Sequence, residues 1–137
     1  LILDLKLEYD RPFEEDLCGT CMACIESCPT QALGEYKIDA RKCISYLTIE
    51  HRGDFPDDKS DLHGWIYGCD VCQEVCPWNE KFSIKTELDE FKPRVEIANF
   101  KRDDWDNLSE EDFKKIFKGS AVKRTKYVGL KRNIGQN

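Results

Sequence analysis

The run Cys18-Gly-Thr-Cys21-Met-Ala-Cys24-Ile-Glu-Ser-Cys28-Pro29 constrains this chain more than any other stretch. Its spacing, C-x-x-C-x-x-C-x-x-x-C-P, is the one with which iron-sulfur proteins wrap a 4Fe-4S cubane with three thiolates and send the fourth to a neighbouring cluster. Three thiolates two residues apart in a tight loop converge on adjacent irons of one cubane. The longer step to Cys28 carries that sulfur away on a helical turn, which Pro29 helps to stop.

A second run, Cys69-Asp-Val-Cys72-Gln-Glu-Val-Cys76-Pro77, has the same C-x-x-x-C-P ending but one cysteine fewer, and Cys43 stands alone. If the terminal cysteine of each run crosses over, cluster 1 takes Cys18, Cys21, Cys24 and Cys76, and cluster 2 takes Cys28, Cys43, Cys69 and Cys72. All eight cysteines are then used, and that closure points to two 4Fe-4S clusters. Two four-cysteine zinc sites would also consume eight thiolates, but a zinc ribbon has no use for so dense a first run followed by proline. Disulfides fit less well: C-x-x-C pairs in a chain with no recognisable signal peptide point to metal or redox chemistry in a reducing, cytoplasmic compartment.

A chain of 137 residues suits one domain of ordinary size, with metal ligands supplementing a modest core. Its 21 Lys and Arg against 27 Asp and Glu exclude a uniformly basic nucleic-acid binder but not a local basic patch. No apolar run approaches membrane-spanning length, so a soluble protein is expected, and a monomer. The chain opens on Leu1 in mid-pattern, as a fragment of a longer protein would.

Leu1, Leu3, Leu5 and Leu7 alternate with Ile2, Asp4 and Lys6, which predicts a half-buried strand. A helical turn is expected over Thr30 to Leu33, then a short strand over Tyr36 to Asp39. Asp39 is a plausible N-cap for a helix from Ala40 to about Glu50, placing Cys43, Leu47 and Glu50 on one face. Asp54 to Gly64 is polar and rich in breakers, hence a surface loop. Trp65, Ile66 and Tyr67 form an apolar cluster before the second run; they either exclude water from a cluster or simply pack in the core. Lys81 to Ala98 shows no clean period. Ser109-Glu-Glu-Asp112 is a capping box for a helix whose Phe113, Ile116 and Phe117 share one face and which Gly119 stops. Lys118, Lys123, Arg124, Lys126, Lys131 and Arg132 then form an acid-free basic tail, either a solvated face or a polyanion contact. The expected fold is α+β: a two-cluster 4Fe-4S ferredoxin-like module of short helices and loops with few short strands, plus a C-terminal helical extension. Residues 1–17 are expected to be a severed end and linker, 18–80 the module, and 81–137 the extension.

Beyond the cysteines, five blocks resemble the epoxyqueuosine reductases. They are Cys18-Gly-Thr-Cys21; Cys28-Pro-Thr-Gln-Ala-Leu33; Asp39-Ala-Arg-Lys-Cys-Ile-Ser-Tyr-Leu-Thr-Ile-Glu50; Gly68-Cys-Asp-Val-Cys-Gln-Glu-Val-Cys-Pro-Trp-Asn79; and Phe117-Lys-Gly-Ser-Ala-Val-Lys-Arg-Thr-Lys-Tyr-Val-Gly-Leu-Lys-Arg-Asn133. The resemblance implies a cobalamin-dependent oxidoreductase that reduces epoxyqueuosine at the tRNA wobble position to queuosine, with loss of water. A low-potential donor would supply electrons singly through the two clusters. In that family an N-terminal domain holds most cobalamin contacts and the proposed proton donor, so this chain would be the electron-delivery part and inactive alone. The resemblance favours cluster 2 as the one nearer the corrin, with Ser45, Asp70 and Val71 as candidates to face it; turn and helix-surface roles explain the same three residues equally well. His51, Arg52, Lys123, Arg124, Lys126 and Arg132 are candidate tRNA phosphate contacts, although His51 and Arg52 also suit plain helix capping. A free-standing two-cluster ferredoxin and the module of a reductive dehalogenase are the competing readings.

Overall fold

The computed structural model describes residues 2–55 and 61–136. Cysteine loops, prolines and left-handed glycines punctuate the chain so often that its elements are short. Helix α1 spans Ala23–Glu26 and is followed by strands β1 (Leu33–Gly34) and β2 (Lys37–Ile38). Helices α2 (Ile44–Ile49), α3 (Val71–Glu74) and α4 (Pro77–Phe82) complete the cysteine-bearing part. After a 3-10 turn at Asp89–Phe91 come α5 (Val95–Ala98), α6 (Arg102–Asp106) and α7 (Glu110–Ile116), then a 3-10 helix Ala121–Thr125 and α8 (Lys126–Ile134). The two strands form an antiparallel hairpin with Leu33 opposite Ile38 and Gly34 opposite Lys37. No helix among the described residues is long and apolar enough to cross a membrane.

Several expectations are corrected. Residues 2–7 form no strand, and Ile2, Leu3, Leu5 and Leu7 are exposed; alternation alone cannot make a strand without a partner to complete the ladder. Leu1 lies outside the described residues, as do residues 56–60 of the expected 54–64 loop. The turn over Thr30–Leu33 is not helical: Gln31 takes a left-handed φ of 52° and Leu33 enters β1. The predicted 36–39 strand is real but short, Lys37–Ile38. The helix expected from Ala40 begins only at Ile44, because Lys42 and Cys43 donate to the carbonyls of Asp39 and Ala40 and close turns first. Asp39 still caps, but caps that turn: its Oδ1 accepts the Arg41 amide at 3.1 Å. Cys43 is therefore the N-cap of α2, not an interior residue.

The 109–112 capping box forms as expected, with Ser109 Oγ accepting the Asp112 amide at 3.1 Å, and Gly119 ends that region at φ 74°. Phe113 and Phe117 face inward with Leu108, Leu130 and Ile134, making the core of the C-terminal part. A side chain such as Phe117, 1% exposed, contributes roughly 2–3 kcal/mol by leaving water. Ile44, Leu47 and Leu62 form a second core, with Phe55 and Trp65 packed on it. The apolar triplet before the second run divides between the two: Trp65 joins the second core, Ile66 and Tyr67 the first.

Candidate metal centres

The two cysteine runs fold as copies of one another. Met22 precedes α1 at φ −115°, ψ 5°, and Asp70 precedes α3 at φ −113°, ψ 11°. Both helices end in the same αR geometry, φ −84° at Ser27 and at Val75. The terminal cysteine donates back 3.4 Å to the residue three before it in each copy, Cys28 to Ile25 and Cys76 to Gln73. A proline follows each, so neither helix continues. Helices α1 and α3 pack against each other, which turns each run's last cysteine toward the other run's loop.

The result is two cavities, each walled by four thiols. Cys18, Cys21, Cys24 and Cys76 line one, with Ala23, Pro77 and Trp78. Cys21 donates to the Cys18 carbonyl at 2.9 Å, and Gly19 supplies the left-handed φ of 51° that this tight loop needs. Asp16 Oδ1 accepts the Cys18 amide at 3.0 Å, and Tyr36 donates to the other oxygen of that carboxylate. The Trp78 indole donates to the Leu17 carbonyl at 2.8 Å and stacks on Phe82, so residues 61 apart in sequence close this cavity's rim.

Cys28, Cys43, Cys69 and Cys72 line the other cavity, between apolar walls that include Leu33, Ile38, Ile44 and Val71. Here the thiols feel one another. Burial pushes Cys69 up; the Val71 amide opposes this, and negative charge at Cys43, Cys72 and Cys28 adds to the rise. Burial acts on Cys28 too, but N–H groups of Ala32, Leu33 and Thr30 and the Thr30 hydroxyl outweigh it and hold that thiol below its ordinary value. The Ala32 amide lies 3.2 Å from Cys28 Sγ. Four thiols around one cavity, with an amide aimed at Cys28 Sγ, are a donor set that fits a soft, positively charged centre. All eight cysteines are free thiols, with Cys18 and Cys21 exposed and the other six half-buried.

The remaining candidates separate. Val71 walls the second cavity; Ser45 sits half-buried on α2, where its carbonyl takes the Thr48 hydroxyl at 3.3 Å; Asp70 is exposed as the N-cap of α3. His51 contacts the Asp54 carbonyl through Nε2 at 3.0 Å and stacks on Phe55. Arg52 donates to the carbonyls of Ile49 at 2.9 Å and Arg124 at 3.0 Å. Arg124 pairs with Glu50. Arg132 lies over the Phe55 ring and donates to the carbonyls of Leu47 at 2.9 Å, Gly53 at 2.7 Å and His51 at 3.2 Å; burial lowers its basicity, chiefly by desolvation. Lys123 and Lys126 are exposed. Sequence reasoning missed Asp16, Tyr36 and Trp78 around the first cavity. Asp16 stands two residues before a cysteine, the spacing of a side chain that caps its own loop, and was the one legible signal.

Residues 17–79 match the family described as 4Fe-4S double cluster binding domain. Epoxyqueuosine reductase of Leadbetterella byssophila is 51% identical over 135 residues, covering 98% of this chain and 43% of that protein. The Synechocystis protein of the same name is 41% identical, covering all of this chain and 48% of its own length; the Escherichia coli one is 46% identical, covering 98% and 35%. The chain thus spans less than half the length of these relatives. A crystal structure of selenomethionine-labelled epoxyqueuosine reductase superposes with a TM-score of 0.82 at 34% identity, covering 94% of this chain and 34% of that one. Another, of epoxyqueuosine reductase with an epoxyqueuosine-modified tRNA-Tyr stem loop, gives 0.73 at 31% identity, covering 94% and 34%. By sequence and by fold, nearly the whole of this chain is similar to a part of these epoxyqueuosine reductases, with residues 17–79 carrying the double-cluster match.

Proposed function

We propose that this chain is the electron-delivery and C-terminal part of an epoxyqueuosine reductase, carrying two 4Fe-4S clusters in a ferredoxin-like module over residues 18–80. Residues 1–17 would lead in from an upstream domain and 81–137 would form the extension. The observation that carries the reading is that eight thiols divide four and four between two cavities, each set drawing on both runs. Cluster 1 would be held by Cys18, Cys21, Cys24 and Cys76, and cluster 2 by Cys28, Cys43, Cys69 and Cys72. Zinc is the poorer occupant. A zinc ribbon has no use for four cysteines within eleven residues followed by proline.

In the full-length protein the reaction would be reduction of the epoxide of epoxyqueuosine in tRNA to the alkene, consuming two electrons and two protons and releasing water. Cobalamin would supply the chemistry at the epoxide. Ser45, Asp70 and Val71, beside the second thiol set, would face it. The chain's own part is to hold two redox groups near one another and pass single electrons between them from a low-potential donor. The tRNA-bound relative supports a tRNA substrate here; the enzyme would be monomeric and cytoplasmic. Of the basic candidates, Lys123 and Lys126 suit phosphate best, because the donors of Arg52, Arg124 and Arg132 are directed at groups of the chain itself. His51 would lie at the edge of that surface.

The deciding experiment is iron, acid-labile sulfide and zinc per chain in anaerobically purified protein, followed by turnover of epoxyqueuosine-containing tRNA by the full-length protein with cobalamin and a reductant. About eight irons and eight sulfides are expected, with turnover. Two zincs without sulfide, after reconstitution with iron and sulfide has also failed, would refute the reading.

A further inference from the structure

The buried polar side chains among the described residues are Thr48, Thr125 and Asn133, each no more than 1% exposed, and they form one knot. Asn133 Nδ2 donates to the Thr48 carbonyl at 2.8 Å and to the Ile66 carbonyl at 2.9 Å. The Thr125 hydroxyl donates to the same Thr48 carbonyl at 2.9 Å. The Thr48 hydroxyl in turn accepts the Gly68 amide at 3.0 Å and donates to the Ile44 carbonyl at 2.7 Å. These bonds end on one of two segments, while Asn133 Oδ1 accepts Arg132 Nε at 3.2 Å and Nη2 at 2.9 Å. One is α2, whose N-cap is Cys43; the other is the Ile66–Gly68 stretch that runs directly into Cys69.

Burial alone does not ask for an asparagine at this point. Its neighbours on the inner face of α8, Leu130 and Ile134, are apolar, and an apolar residue at 133 would avoid the cost of desolvating an amide. An amide differs in being directional: its donors fix where two carbonyls lie relative to each other. The backbone also makes room for the knot, since a Cβ on Gly129 would fall 2.6 Å from Thr125 Oγ1. The first thiol set takes its support elsewhere, from Asp16 on Cys18 and Trp78 on Leu17.

We propose that Asn133, Thr125 and Thr48 are positioning residues for the second thiol set: the C-terminal helix holds Cys43 and Cys69 at the separation that the second cluster requires. This rests on the cluster-binding reading above. Groups that orient metal ligands typically change metal affinity by about 10–100-fold when removed, and hydrogen bonding and solvent access set cluster potential.

The test uses the full-length protein, reconstituted anaerobically, with Asn133→Leu, Thr125→Val and a control, Leu130→Ala, on the same helix outside the knot. Cys43→Ala supplies the signal of the first cluster by itself. Iron loss to a chelator and an electron paramagnetic resonance redox titration are read for each cluster. Asn133→Leu is expected to lose the second cluster about tenfold faster and to shift its potential, leaving the first at its wild-type value. Thr125→Val moves the same quantities the same way by less, and Leu130→Ala, while folded by circular dichroism, keeps the wild-type ratio of the two clusters. Equal loss of both clusters from folded Asn133→Leu, no change in the second, or an equally selective loss in Leu130→Ala would overturn the proposal. Should Asn133→Leu fail to fold, Thr125→Val decides by the same criteria. A wild-type protein without iron and sulfide would be a different failure, of the cysteine reading itself.

Discussion

The Tyr36 hydroxyl donates to Asp16 Oδ2 at 2.5 Å, tying the tip of the β-hairpin to the loop that opens the first cysteine run. Both partners register the bond. It is the main reason Asp16 is held below the ordinary carboxylate range and Tyr36 is pushed up to about 12. Because Asp16 also accepts the Cys18 amide, the hairpin steadies a cysteine loop that is otherwise exposed.

Tyr36→Phe should therefore make the first cluster bleach faster in air and leave the second unchanged. The factor should be smaller than the roughly tenfold cost of removing a buried supporting bond, since this pair is open to solvent. Absorbance decay on exposure to oxygen, followed for wild type and variant, checks it; equal acceleration of both clusters would contradict it.

Cys43→Ala should cost about half of the iron and sulfide, four of roughly eight irons, with the first cluster retained. Loss of all iron from a chain that remains folded by circular dichroism would break the partition into two sets.

Arg132 satisfies carbonyls at the end of α2, a place where helices leave acceptors unpaired. Arg132→Ala is expected to destabilise the protein by about 2 kcal/mol. Arg132→Lys should recover less than half of that, because an ammonium cannot present a planar fork to several carbonyls. Denaturant midpoints at unchanged slope would measure both.

The Glu50–Arg124 pair predicts a pH dependence. The hydrogen bond from Arg124, and then the charges of Arg124 and Arg52, hold the Glu50 carboxyl below its ordinary value. The unfolded chain thus takes up this proton first on acidification. The stabilisation from Glu50 is full above the unfolded glutamate value of about 4.3 and is lost as pH falls through the lower folded value. The gap in melting temperature between wild type and Glu50→Gln should be present at neutral pH and close through the acid range. A gap that widened on acidification would reverse the sign.

What the sequence disclosed was whatever it encodes locally. The cysteine spacing fixes which sulfurs leave a loop together, and the Ser109 to Asp112 box fixes a helix start by bonds three residues long. The alternating leucines before Tyr9 misled because a strand is a property of two segments. The start of α2 was hidden because Asp39 caps a turn just as readily as a helix. Charge alone reads the basic tail as either a solvated face or a polyanion contact, yet the acceptors of Arg124 and Arg132 lie 74 and 85 residues upstream. No local pattern announces Asn133, since nothing near it says that both of its amide hydrogens will be spoken for.

Helix α2 is finished by parts of the chain that are made long after it. Its terminal carbonyls at Leu47 and Thr48 are met by Arg132, Thr125 and Asn133. At a translation rate of about 5–20 residues per second, the 85 residues between Leu47 and Arg132 take roughly 4–17 seconds to appear. Cys69 and Cys72 follow Cys43 by only 26 and 29 residues, so for most of that interval all four thiols of the second set exist without the groups that brace α2. The second thiol set is thus complete before its bracing is, and the separation of Cys43 from Cys69 is fixed only once Thr125, Arg132 and Asn133 have been made.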